Sequence, residues 1–167
     1  MTTGRFFAVF KHGTAVCFLA VLSLMVGCQP NSWYHHSLVF DQQGWDMNDT
    51  LRFADTLTSS TPLTLNGKLT LRHTNAYPYQ NLWLYITTHT DDSLMVSDSI
   101  NWTLAKPDGN WLGTGWGSLY TISYDLPTLT FSPSDSVRWF EIELVHGLRD
   151  SLLTGLSDIG LRLYTKE

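Results

Sequence analysis

The chain has 167 residues, room for one core, and carries ten Lys and Arg against fifteen Asp and Glu for a net charge of −5. An acidic balance without a basic stripe excludes a nucleic-acid interface and electrostatic adhesion to anionic lipid. The two cysteines, Cys17 and Cys28, both lie near the N-terminus and exclude a disulfide framework or a zinc–cysteine site in the rest.

Arg5 and Lys11 precede an uncharged apolar run of thirteen residues, Thr14–Val26. A settled transmembrane helix needs about 20 apolar residues, so this run reads as the hydrophobic stretch of a signal peptide. "LMVGC" follows, with small Gly27 directly before Cys28. That arrangement predicts cleavage ahead of Cys28 and a lipid on its thiol, although Met25 stands where Leu is usual and Leu24 lies beside it. Three acyl chains exceed the two signals that stable anchoring requires. The expected division is a signal peptide over 1–27, a lipidated tether over 28–32 and a single domain over 33–167. Gln29, not Asp, follows the cysteine, which favours the outer membrane over the inner, with the domain facing the periplasm. The mature chain holds eight basic and fifteen acidic residues, a net charge of −7.

Beyond the tether the hydrophobic period is two. Segments Tyr34–Phe40 and Thr50–Ala54 read as short strands. In "LTLNGKLTLRHT", Leu63, Leu65, Leu69, Leu71 and His73 share one face and Thr64, Asn66, Lys68, Thr70, Arg72 and Thr74 the other. Leu82, Leu84 and Ile86 form a further inner face, as do Ile100, Trp102 and Leu104, then Phe140, Ile142 and Leu144, then Ile159, Leu161 and Leu163. Tyr120–Leu126 is a shorter candidate, and Gly147–Leu153 a candidate helical turn. Breakers such as "DQQGWDMND", "NAYPYQN", "HTDDS" and "SPSDS" separate the runs. The expected fold is all-β, an antiparallel, jelly-roll-like β-sandwich of about eight strands.

The stretch "PDGNWLGTGWGS", Pro107–Ser118, has three readings. A dinucleotide loop needs a strand before it and a helix after it, and here a β-like segment follows. A sugar platform would offer Trp111 and Trp116 together with Tyr77 and Tyr79. A structural turn would fold Trp111 inward, with the tight bend at Asp108-Gly109 and Trp116 left as the exposed contact. These four aromatic residues are the candidate interaction surface.

No cofactor or metal is expected. His35 and His36 are adjacent on a strand and point to opposite faces. His73 and His89 are candidate cross-strand neighbours without a third ligand, and Asp91, Asp92 and Asp98 read as solvated turn carboxylates. Glu141 and Glu143 share one strand face about 7 Å apart, a face read as solvated. There is no G-x-S-x-G, H-E-x-x-H or P-loop, and a non-catalytic role is expected. The triplet Asp-Ser/Thr-aliphatic occurs six times and marks Thr50, Thr56, Ser93, Ser99, Ser136 and Ser151 as O-glycosylation candidates, or as turn residues that cap the next strand.

Three segments carry a family resemblance. "RHTNAYPYQNLWLYI" (72–86), "KPDGNWLGTGWGSLY" (106–120) and "LSDIGLRLY" (156–164) resemble, in this order, motifs of the GldH gliding-motility lipoproteins. His73, Lys106 and Leu156 depart from residues common in that family. The resemblance implies a lipid-anchored cell-envelope protein working with the partner proteins of the gliding-motility and type IX secretion apparatus, without catalysis. The alternative from the residues is a glycan-binding envelope lipoprotein. Packed loop tryptophans favour the first reading, and two coplanar exposed rings across a groove favour the second.

Overall fold

The computed structural model describes residues 32–90, 96–131 and 134–165, and of 134–137 the backbone alone. Cys28 and the rest of the signal and tether before Ser32 lie outside the described residues, as do Ser93, Asp91 and Asp92. The elements are β1 (Ser32–Val39), β2 (Trp45–Asp46), β3 (Leu51–Ser59), β4 (Leu63–Thr74), β5 (Asn81–Thr90), β6 (Val96–Thr103), β7 (Thr114–Trp116), β8 (Leu119–Phe131), β9 (Ser134–His146), β10 (Leu152–Leu153) and β11 (Leu156–Tyr164). No helix occurs among the described residues. β1 begins at Ser32, one residue into the expected tether, because Ser32 already pairs with Tyr164.

One sheet runs β1-β11-β4-β8-β7 and the other β3-β9-β5-β6, all antiparallel, while β10 and β2 form a small third pair. Eight strands are long. Numbered one to eight along the chain, their orders are 1-8-3-6 and 2-7-4-5, which is the jelly-roll arrangement of two Greek keys. The expected sandwich is therefore present, with three short additions that period-two patterning cannot register.

Alternation explains the sheets residue by residue. Along β4 the positions of Leu63, Leu65, Gly67, Leu69, Leu71 and His73 are buried, and the alternate positions between them are not. The inner faces of β5, β9 and β11 bury the expected Leu82, Leu84, Ile86, Phe140, Ile142, Leu144, Ile159, Leu161 and Leu163. Rings bridge the two sheets: Tyr34 meets Phe140 edge-on at 5.3 Å, and Trp102 lies 5.7 Å from Tyr124.

Three departures have physical causes. β8 continues through Pro127 to Phe131, because Leu65 faces Leu129 and Gly67 faces Leu126, so β8 carries one extra residue there. A bulge at a sheet edge is where a strand tolerates proline. The expected helical turn over Gly147–Leu153 is absent. Its backbone is committed to sheet partners: the Gly147 amide donates to Trp83 O at 2.8 Å, and Leu153 pairs with Trp45. Finally, Trp45 belongs to the core although it sits in the breaker "DQQGWDMND". It is 1% exposed, stacks on Phe40 at 5.5 Å, and donates from Nε1 to Asp49 O at 2.9 Å.

Candidate interaction surface

One end of the sandwich collects the Asn75–Gln80 segment, the Lys106–Ser118 loop and the β10–β11 connection. The loop is a hairpin followed by a short strand. Ala105 bridges Trp111, the Lys106 amide donates to Asn110 O at 2.8 Å, and the Gly109 amide donates to Lys106 O at 2.9 Å. Gly109 sits at φ +86°, in the left-handed region that the Asp-Gly bend requires. The Asp108 carboxylate accepts from the Asn110 amide at 3.0 Å and from its Nδ2 at 2.9 Å, which holds it below the usual carboxylate range. β7 then pairs with β8 across a second tight bend at Gly117, φ +64°. No helix follows, so the dinucleotide reading has no helix N-terminus to use.

The four aromatic candidates separate by environment. Trp116 is 90% exposed, and Leu112 nearby in the loop is 47% exposed. Trp111 folds inward and is partly buried against the core. Its ring meets His73 edge-on at 4.4 Å, and its Nε1 donates to Asn75 Oδ1 at 3.0 Å. Tyr79 is half-buried, and a bond from its hydroxyl to Asp150 raises its pKa. Tyr77 does not belong to the surface. It is 3% exposed and donates to Asn81 O at 2.9 Å, and burial raises its pKa. The turn "NAYPYQN" places the Tyr77 ring beside His73, 5.8 Å away. The rings therefore do not form a flat platform of two exposed tryptophans.

The segments that carry the family resemblance are bonded to one another here. Arg72 Nε donates to Asp158 Oδ2 at 2.7 Å, joining the first segment to the third across β4 and β11. Asp158 is 4% exposed and also accepts from Ser157 Oγ at 3.0 Å. Trp111 and Asn75 join the second segment to the first, and His73 stacks on Tyr120 at 5.7 Å. The Thr74 amide donates to Gly155 O at 2.8 Å. The sequence showed the segments but not that they meet.

This end lies away from the point where the chain enters the domain. Ser32 pairs with Tyr164, which pairs with Asn66, whereas Trp116 pairs with Leu119 and Leu119 with Thr74. The stretch of β4 from Asn66 to Thr74 spans about 26 Å at 3.3 Å per residue.

His73 and His89 are not cross-strand neighbours, because β4 and β5 belong to different sheets. His73 is fully buried, with Nδ1 3.2 Å from Thr74 O and Nε2 without a hydrogen-bond partner. Burial lowers its pKa, and it lowers that of His146 as well. A metal-capable group does exist elsewhere: one atom each of His89, Glu141 and Glu143 lie within 4.8 Å of one another on the outer face of the β3-β9-β5-β6 sheet. Among the glycosylation candidates, Thr56 and Ser99 are exposed within β3 and β6 and so are not turn residues. Thr50 is half-buried before β3, Ser151 is exposed before β10, and Ser136 lies in β9.

A family profile described as GldH lipoprotein matches residues 32–163. The chain is similar to "Gliding motility lipoprotein GldH" of Flavobacterium johnsoniae, at 24% identity over 144 residues, 77% of this chain and 86% of that one. It is also similar to "Gliding motility lipoprotein GldH homolog" of Christiangramia forsetii, at 33% identity over 51 residues, 30% of this chain and 32% of that one. Among solved structures, a module described as CBM35 from Cellvibrio japonicus Abf62 aligns over 80% of this chain and 87% of its own at 8% identity and a TM-score of 0.34. The VP2 subviral particle of infectious bursal disease virus aligns over 83% of this chain and 36% of its own, at 17% identity and a TM-score of 0.31. Scores this low place no constraint on function.

Proposed function

The chain belongs to the GldH lipoprotein family, and from that premise we propose that it is a lipid-held adaptor of the gliding-motility and type IX secretion apparatus. It acts by binding rather than by catalysis. Cys28 carries the lipid, the outer membrane holds it, and the domain faces the periplasm. The Trp116 end then projects away from the bilayer toward a partner protein. The observation that carries this reading is the pairing of an inward Trp111 with a 90% exposed Trp116 on an end built by all three family segments. Exposed large aromatic residues on a rigid frame are typical binding anchors. The packing of Trp111 argues against a glycan platform, which needs a second free ring.

Affinity isolation of the natural chain from detergent-solubilised envelopes, with mass spectrometry of what accompanies it, tests the reading. Motility or secretion components should accompany the natural chain and be lost from Trp116→Ala. Their equal recovery with both chains would overturn the assignment of the surface. O-glycosylation belongs to the same proposal, with exposed Ser151 and Thr56 the first sites to be reached. A natural protein whose intact mass equals that of the bare lipidated polypeptide would rule it out.

A further inference from the structure

The outer face of the β3-β9-β5-β6 sheet carries a cluster that the adaptor role leaves unused. Glu141 and Glu143 stand on the same face of β9. Register sets His89 of β5 directly across from Glu141, and Arg52 of β3 directly across from Glu143. Arg52 Nε donates to Glu143 Oε1 at 2.8 Å. The second Glu143 oxygen, Oε2, faces His89 Nε2 at 3.6 Å. The side chains of His89 and Glu143 are 31% and 23% exposed, so the cluster is reachable but shielded.

The spacing is informative. A separation of 3.6 Å is too long for an N–H···O hydrogen bond, which falls between 2.7 and 3.2 Å. It does suit two ligands of one ion, since a tetrahedral ion with bonds of 2.0–2.2 Å keeps its ligand atoms about 3.4 Å apart. The donor set also selects the ion. Calcium takes six to eight oxygens, and magnesium keeps its waters on an oxygen octahedron. One imidazole nitrogen with two carboxylate oxygens suits zinc or a neighbouring divalent transition metal. Arg52 fills the supporting role that metal-bound carboxylates commonly have, a hydrogen bond to the oxygen that does not ligate.

We propose that His89, Glu141 and Glu143 form a zinc site with an open fourth position on this sheet face, and that Arg52 orients Glu143 within it. The open position takes water.

The test is calorimetric titration of the metal-free full chain in detergent with zinc chloride at pH 7.5. One equivalent is expected to bind. Affinity should fall about tenfold or more in His89→Ala and in Glu141→Gln, and by a similar factor in Arg52→Gln, as for other groups that support a metal ligand. A His35→Ala, His36→Ala double variant serves as control and should keep the site. Zinc should raise the melting temperature of the natural chain more than that of His89→Ala. Two results overturn the proposal. One is the absence of saturable zinc binding by the natural chain, which leaves an ion-pair cluster alone. The other is full retention of binding in His89→Ala, which moves any site elsewhere.

Discussion

Replacing Trp116 with alanine should scarcely affect the fold, and replacing Trp111 should damage it. With Trp116 90% exposed, folding covers only a tenth of its surface. A tryptophan buries up to about 250 Å² when fully covered, so the loss is about 25 Å². At about 25 cal/mol per Å² that is about 0.6 kcal/mol. For a domain of this size the melting temperature falls by no more than about 3 °C. Trp111 is mostly covered, by His73 and the core, and also holds Asn75. Truncating such a ring costs about 3–5 kcal/mol, including the cavity it leaves. That is a large share of a typical stability of about 5–15 kcal/mol. Urea unfolding followed by far-ultraviolet circular dichroism measures both without relying on the mutated fluorophores. A loss above about 2 kcal/mol in Trp116→Ala, or below about 1 kcal/mol in Trp111→Ala, would refute the division of the rings into anchor and contact.

Burial lowers the pKa of both His73 and His146 below the ordinary 6.5. The unfolded chain therefore takes up protons first, so stability is full above pH 6.5 and is lost as pH falls through 6.5 toward the folded-state values. Urea midpoints should be level from pH 8 to 7 and decline from 6.5 to 5, less steeply in His73→Phe; a midpoint that rises on acidification contradicts the burial argument. Arg72→Ala leaves Asp158 buried with only Ser157 Oγ and should cost about 2 kcal/mol, a figure reduced from that of a fully buried pair because the Arg72 side chain is half exposed. An unchanged urea midpoint would show that this bridge does not hold the two strands. Cys28→Ser should release the protein from the membrane fraction or leave it unprocessed, as cell fractionation would report; normal processing with normal attachment removes the lipid from the account.

The sheets were legible because period two repeats over long runs. Leu63 to His73 could be read directly, and the inward faces of β5, β9 and β11 followed from the same rule, whereas Asp158 and Gly160 on the other face of β11 are buried as well. Trp45 was not legible: β2 and β10 are two residues each, too short to alternate, and Trp45 is buried by a partner more than a hundred residues away. The burial of Tyr77 was not legible either, because a turn has no face until its neighbours are placed. The inward turn of Trp111 could be anticipated from the Asp108-Gly109 bend, whereas its bond to Asn75 depends on tertiary placement. For the same reason Glu141 and Glu143 showed only a shared face. What brings His89 and Arg52 to them is the order β3-β9-β5, which joins strands distant in sequence.

The measurement closest to the central claim is site-specific photo-crosslinking of the lipidated chain in its native envelope. A photoreactive residue is placed at position 116 in one sample and at exposed Thr56 on the outer sheet face in another. The account predicts a discrete crosslinked motility or secretion protein from position 116 and none from position 56. Equal crosslinking from both positions, or crosslinking from position 116 to polysaccharide alone, would contradict it.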